Sequence, residues 1–138
     1  MKPLRDSRNS SPRNQTLLTL NAMRDEPLTV TAAPGSSEGL TILRLKGPLT
    51  LPNTFDFQKD LAQRKPAVLI IDLTESPYMD SAGLGLLMNY YVSAERNGRK
   101  LLLAGANDRI TALLHTTKVH LILKNYATAA EAEASVGA

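Results

Sequence analysis

The chain has 138 residues, 43% of them hydrophobic and 21% charged, which is the composition of one globular domain with a single core and no room for a second. It contains no cysteine, so disulfides, thiolate metal sites and cysteine nucleophiles are excluded. The net charge of +3 is unevenly placed: residues 1–24 carry five basic groups against one acidic, and residues 25–138 carry eleven basic against twelve acidic, so the basicity belongs to the N-terminal segment.

That segment begins MKPLRDSRNSSPRNQ, rich in Ser, Asn, Pro and Arg with little to bury, which predicts a disordered extension over residues 1–24 ahead of a domain over 25–138. The alternative is an arm for nucleic acid or a membrane surface. It has no aromatic residues to stack on bases and its charges are sparse, so no nucleic-acid partner is expected. No apolar run approaches the roughly 20 residues that cross a bilayer, and no signal-peptide core follows the basic start. The expectation is a soluble, cytoplasmic chain.

Regular patterning starts at Leu28. Leu28, Val30 and Ala32 alternate with threonines and, after the turn-rich Pro34-Gly35-Ser36-Ser37-Glu38-Gly39, Leu43 and Leu45 alternate with Arg44 and Lys46. The period of two predicts an antiparallel hairpin with one solvated face. Gly47-Pro48 ends it, and Leu49 to Asn53 leads into a helix of about a dozen residues that Pro66 cannot continue. Phe55, Leu61 and Ala62 are its expected apolar side.

Ala67 to Leu73 is apolar without alternation, as is Lys100 to Ala104, and such runs mark strands covered on both faces. Between them a helix from about Ser81 to Asn97 places Leu84, Leu87, Met88, Tyr91 and Val92 at helical spacing, and Gly98 stands where a left-handed residue ends it. Strand, helix and strand of these lengths form a βαβ crossover, expected to be right-handed with parallel strands. Farther on, Asn107 or Asp108 can cap a helix carrying Ile110, Leu113 and Leu114, Leu121-Ile122-Leu123 reads as a short strand, and Thr128 can cap a helix over Ala129 to Ser135.

The chemistry concentrates where the first apolar strand meets the long helix, in Tyr78-Met79-Asp80-Ser81-Ala82-Gly83-Leu84-Gly85-Leu86-Leu87. A serine at a helix start caps free N–H groups for about 1 kcal/mol and needs no further role. Two glycines in the first turns are less easily explained, since each costs up to about 1 kcal/mol relative to alanine. Either they let the helix pack closely on its own domain, or they keep the surface around Ser81 low for a partner or a phosphate. Asp80 either orients the serine hydroxyl or is a plain helix-start carboxylate. Catalysis is not expected. A nucleophile elbow needs glycine where Met79 stands, and nothing places His115 or His120 near Ser81. Five residues apart, the two histidines would lie about 140° out of alignment on a helix, so they make no metal pair. The segment also lacks the Gly-Lys-Ser/Thr ending of a phosphate-binding loop.

These residues resemble the STAS domain of the bacterial anti-sigma factor antagonists. The likeness is carried by Leu69-Ile70-Ile71-Asp72-Leu73, by Asp80-Ser81-Ala82-Gly83-Leu84-Gly85, and by Gly98-Arg99-Lys100-Leu101-Leu102-Leu103. It implies a single α/β domain with a mixed sheet of about five strands and about four helices. In that family the serine matching Ser81 is phosphorylated by an anti-sigma factor that is also a serine kinase of the histidine-kinase-like ATPase fold, and a metal-dependent phosphatase removes the phosphate. The unphosphorylated antagonist binds the anti-sigma factor and frees the sigma factor. The resemblance therefore implies a phosphorylatable binding module, not an enzyme, without cofactor or metal, with Asp80, Ala82, Gly83, Leu84 and Thr50 as the partner footprint around Ser81. One departure stands out: Gly47-Pro48-Leu49-Thr50 puts Thr50 where the family often carries an acid. The other reading is a STAS subunit that docks to a transporter or a stress-sensing complex without kinase control.

Overall fold

A computed structural model describes residues 26–137, so the predicted extension over 1–24 lies outside the described residues. Strands β1 (Thr29–Pro34) and β2 (Leu40–Lys46) form the expected hairpin, followed by helix α1 (Leu51–Ala62) and strand β3 (Val68–Glu75). The crossover continues through α2 (Ser81–Arg96) to β4 (Lys100–Ala104), and α3 (Asp108–Thr116), β5 (Asn125–Tyr126) and α4 (Ala129–Gly137) complete the domain. The five strands lie in one sheet in chain order. β1 pairs antiparallel to β2, and β2, β3, β4 and β5 pair parallel.

The unbroken apolar strands are buried on both sides, as their composition dictates. Leu69, Ile71 and Leu73 of β3 and Leu101 and Leu103 of β4 face a large core shared with α1, α2 and α3. Ile70 and Ala104 face the opposite side, where Ala132 of α4 covers them. Full burial of one such aliphatic side chain contributes roughly 1.5–3 kcal/mol. α2 ends as predicted: Asn97 is the last capping residue and Gly98 follows at φ +72°, a conformation that a Cβ disfavours.

Four expectations are corrected. The solvated hairpin face is solvated only in part, because Leu40 and Ile42 are buried under α4 while Arg44 and Lys46 are exposed, and on the other face Ala32 of β1, paired with the buried Leu43, is exposed. In α1 the buried aromatic is Phe57, with Thr54 and Leu61, and Phe55 is 68% exposed. The geometry explains the exchange: Phe57 and Leu61 are four residues apart and share a face, whereas Phe55 lies about 120° from Leu61 around the helix. The run Leu121-Ile122-Leu123 is no strand. A 3-10 turn over Val119–Leu121 replaces it, burying Val119 and Leu123 and exposing Leu121 and Ile122, and the fifth strand is the shorter Asn125–Tyr126. Three apolar residues in a row fit either form, and the left-handed Lys118 (φ 63°) decides for the turn.

The same turn overturns the helical premise for the histidines. Since α3 ends at Thr116, His115 and His120 fold back and stack, centroids 3.9 Å apart and planes 11° apart. Ring-nitrogen lone pairs lie in their ring planes, so two parallel stacked rings do not converge on one ion. Among the described residues no group of three or more His, Asp or Glu side chains is placed to hold a metal.

Candidate functional site: the paired helix starts at Asp80 and Ser81

Two chain segments leave the sheet side by side. Leu49, before α1, and Met79, before α2, form a parallel bridge, in which Leu49 N–H donates to the Tyr78 carbonyl (3.1 Å) and Asp80 N–H to the Leu49 carbonyl (3.2 Å). The pairing sets the first turns of both helices next to each other, with Thr50 and Asp80 as their N-cap residues.

The cap of α2 is Asp80, not Ser81. Asp80 holds the extended backbone of a cap (φ −104°, ψ −178°), and its Oδ1 accepts from Gly83 N–H at 2.9 Å. The other oxygen, Oδ2, accepts from Leu51 N–H, the first amide of α1, at 3.0 Å. One carboxylate therefore serves the positive ends of two helices. Ser81 is consequently the first residue of α2 rather than its cap, with its side chain exposed. No hydrogen bond within the described residues uses its hydroxyl.

The two glycines divide between the two explanations. A Cβ on Gly83 would run into the Leu49 carbonyl oxygen and lie 2.8 Å from Leu49 Cγ, so this glycine exists for close packing of α2 on the Leu49 segment. A Cβ on Gly85 would meet nothing within 4 Å, so this one leaves the surface low one turn below Ser81. Of the expected footprint, Ser81 is exposed, Asp80 and Ala82 are half-buried, and Thr50, Gly83 and Leu84 are buried behind them. Two exposed apolar residues outside the expected footprint, Leu51 (57% exposed) and Phe55 (68%), the latter expected in the core, stand on the first turns of α1 beside this surface.

The loop between β3 and α2 is held from several sides. Ser76, 1% exposed, donates its hydroxyl to the Gly47 carbonyl at 2.8 Å. Asn107 Nδ2 donates to the Pro77 carbonyl at 2.9 Å while its Oδ1 caps α3 by accepting from Ile110 N–H at 2.9 Å. The Arg109 guanidinium lies 4.9 Å from the Tyr78 ring centroid. Asn107 was legible as a cap, but its second bond has no sequence signal because it spans 30 residues. His115 sits in the last turn of α3, roughly 10 Å along the helix axis from the end that contacts this loop, so it is badly placed to act on Ser81 as a base.

The model of one family, the STAS domain, matches residues 33–132. This chain belongs to the STAS domain family. The resemblance read from Asp80 to Gly85 is borne out, and the mixed sheet of five strands with four helices among the described residues is the expected STAS fold. An anti-sigma-B factor antagonist of Listeria monocytogenes is 40% identical over 57 residues, which is 41% of this chain and 50% of that relative, so the likeness spans about half the relative's length. Among solved structures, a putative anti-sigma factor antagonist from Thermotoga maritima superposes with a TM-score of 0.72 at 24% identity, covering 79% of this chain and 95% of that one. The anti-sigma factor antagonist SpoIIAA in its unphosphorylated form gives 0.66 at 16% identity, covering 80% and 98%. The STAS fold also serves transporters: the SulP transporter STAS domain of Vibrio cholerae gives 0.54 at 24% identity, covering 69% and 78%. Among the described residues of this chain, no helix is long and apolar enough to cross a membrane.

Proposed function

We propose that this STAS domain is an anti-sigma factor antagonist whose binding is switched by phosphorylation of Ser81. In the unmodified state it binds an anti-sigma factor that is also a serine kinase, and so frees a sigma factor. The kinase transfers phosphate from ATP: the Ser81 Oγ–phosphorus bond forms as the bond to the β-phosphate oxygen breaks, ADP leaves, and the hydroxyl proton passes to a base of the kinase or to water. A metal-dependent phosphatase restores serine with water and releases inorganic phosphate.

The observation that carries the reading is the division of labour at the helix start. Asp80 does the capping, which leaves the Ser81 hydroxyl exposed and, among the described residues, without a hydrogen bond at the first position of α2. A phosphoryl group there brings roughly −1.5 to −2 charges and three acceptor oxygens to the positive end of a helix, where an anion is tolerated. The fold is expected to persist. SpoIIAA, solved in its phosphorylated form, still superposes on this chain with a TM-score of 0.63. Partner binding is expected to fail, because a surface fitted to a small neutral hydroxyl, beside exposed Gly85, meets a bulky dianion.

The test is incubation with candidate histidine-kinase-like serine kinases and ATP, followed by mass spectrometry of the peptide containing Ser81. Phosphate on Ser81, absent from the Ser81→Ala variant, is the expected result. Phosphate elsewhere, or none with any such kinase, favours the second reading, a docking subunit without kinase control, for which the fold shared with the transporter STAS domain speaks.

A further inference from the structure

The first turn of α1 has no capping side chain of its own. Thr50 occupies its N-cap position but makes no side-chain cap bond, and Pro52 has no N–H to satisfy. Asn53 N–H is taken by the Thr50 carbonyl at 2.8 Å. The remaining early amide, Leu51 N–H, depends on Asp80 Oδ2 at 3.0 Å. The Asn53 side chain also ties this turn to the Pro48 and Glu26 carbonyls (2.8 and 3.0 Å), but the first amide of α1 is held by a residue adjacent to Ser81 and 29 positions away from Leu51 in the chain.

We propose that Asp80 is a positioning residue that carries the state of Ser81 to α1. The inference rests on the reading of Ser81 as a phosphoacceptor. While Ser81 is unmodified, both carboxylate oxygens of Asp80 are committed, one to each helix. A phosphoryl group on the next residue repels that carboxylate and offers a stronger acceptor to the N–H groups at the start of α2. Asp80 then withdraws from Leu51 N–H, and the first turn of α1 loses its cap. That turn carries Leu51, 57% exposed, and Phe55, 68% exposed, follows one turn on, so phosphorylation alters the surface beside Ser81 as well as Ser81 itself. The effect is local, since Phe57 and Leu61 keep the rest of α1 in the core.

The test uses full-length chain with phosphoserine installed at position 81 during translation, so no kinase is needed, and follows the amide exchange of Leu51 and Gly83 by NMR. With Asp80 intact, phosphoserine is expected to raise Leu51 exchange by about tenfold or more. In an Asp80→Ser background, where serine still caps α2 but brings neither charge nor a second oxygen, Leu51 exchange is expected to be fast already and to change less than about threefold on phosphorylation. Asp80→Asn is the second background, with the same expectation. Leu51 exchange unchanged within about twofold in the Asp80 protein overturns the proposal, as does an equal rise in the Asp80→Ser protein. A kinase that ignores Ser81 would refute the switch and leave this readout standing. Partner release by phosphoserine with Leu51 unaffected would refute the coupling alone.

Discussion

Replacing each of the two glycines by alanine separates their roles through the sign of the stability change. Helix propensity alone favours alanine by up to about 1 kcal/mol at either position. At Gly85 the new methyl has open space, so Gly85→Ala is expected to stabilise by about 0.5–1 kcal/mol. At Gly83 the methyl is driven into the Leu49 carbonyl and Leu49 Cγ, and the carbonyl cannot yield without moving the Leu49–Met79 bridge. Overpacking of this kind costs about 1–3 kcal/mol, more where backbone must shift, so it outweighs propensity and Gly83→Ala is expected to destabilise by about 1–2 kcal/mol net. The two variants should therefore stand about 2 kcal/mol apart. In urea unfolding, with a slope of about 1.5 kcal/mol per molar, that is a gap in midpoint of roughly 1 M. A stabilised Gly83→Ala protein would refute the packing account of this glycine.

The two phenylalanines of α1 should differ as sharply: Phe57→Ala is expected to cost about 3–5 kcal/mol, and Phe55→Ala to stay within about 0.5 kcal/mol, both read from the same unfolding curves. Phe55→Ala should instead weaken partner binding, and a Phe55→Ala protein that binds as tightly as the unsubstituted chain would remove α1 from the interface. Glu133 accepts from Ser36 N–H at 2.6 Å, and that bond holds its carboxyl below the usual value of 4.5. Its folded value is depressed, so its contribution to stability is present above about pH 4.5 and lost as pH falls through the folded value. Stability curves of the unsubstituted and Glu133→Gln proteins should thus converge on acidification; curves that stay parallel down to about pH 3 would refute the role given to this bond.

Much of the domain was legible because burial writes itself into the sequence over long stretches. The two uninterrupted apolar strands, of eight and five residues, the sixteen-residue helix between them and the stop at Gly98 follow from patterns that reinforce one another along the chain, which local chemistry can hardly imitate. Short patterns failed. Phe55 and Phe57 are both plausible faces of a helix until the tertiary partner is known, and Leu121-Ile122-Leu123 is too brief to carry a period. At the site, the segment was found but its roles were exchanged. Asp80 and Ser81 are both good capping residues, and only the Leu49–Met79 bridge, which aligns Asp80 with the first amide of α1, decides which one caps. That alignment joins residues 29 apart and has no counterpart in any local pattern. The glycines illustrate the same limit, since one composition served packing at Gly83 and exposure at Gly85.

The central claim is that the state of Ser81 controls partner binding while the fold stays intact. Its most direct test is calorimetric titration of a candidate anti-sigma factor serine kinase with the unmodified protein and with the phosphoserine-81 protein, the circular dichroism of both being recorded. Like charge forced into a fitted interface costs several kcal/mol, so the phosphorylated protein is expected to bind at least about a hundredfold more weakly with an unchanged spectrum. Equal affinity of the two forms would contradict the account.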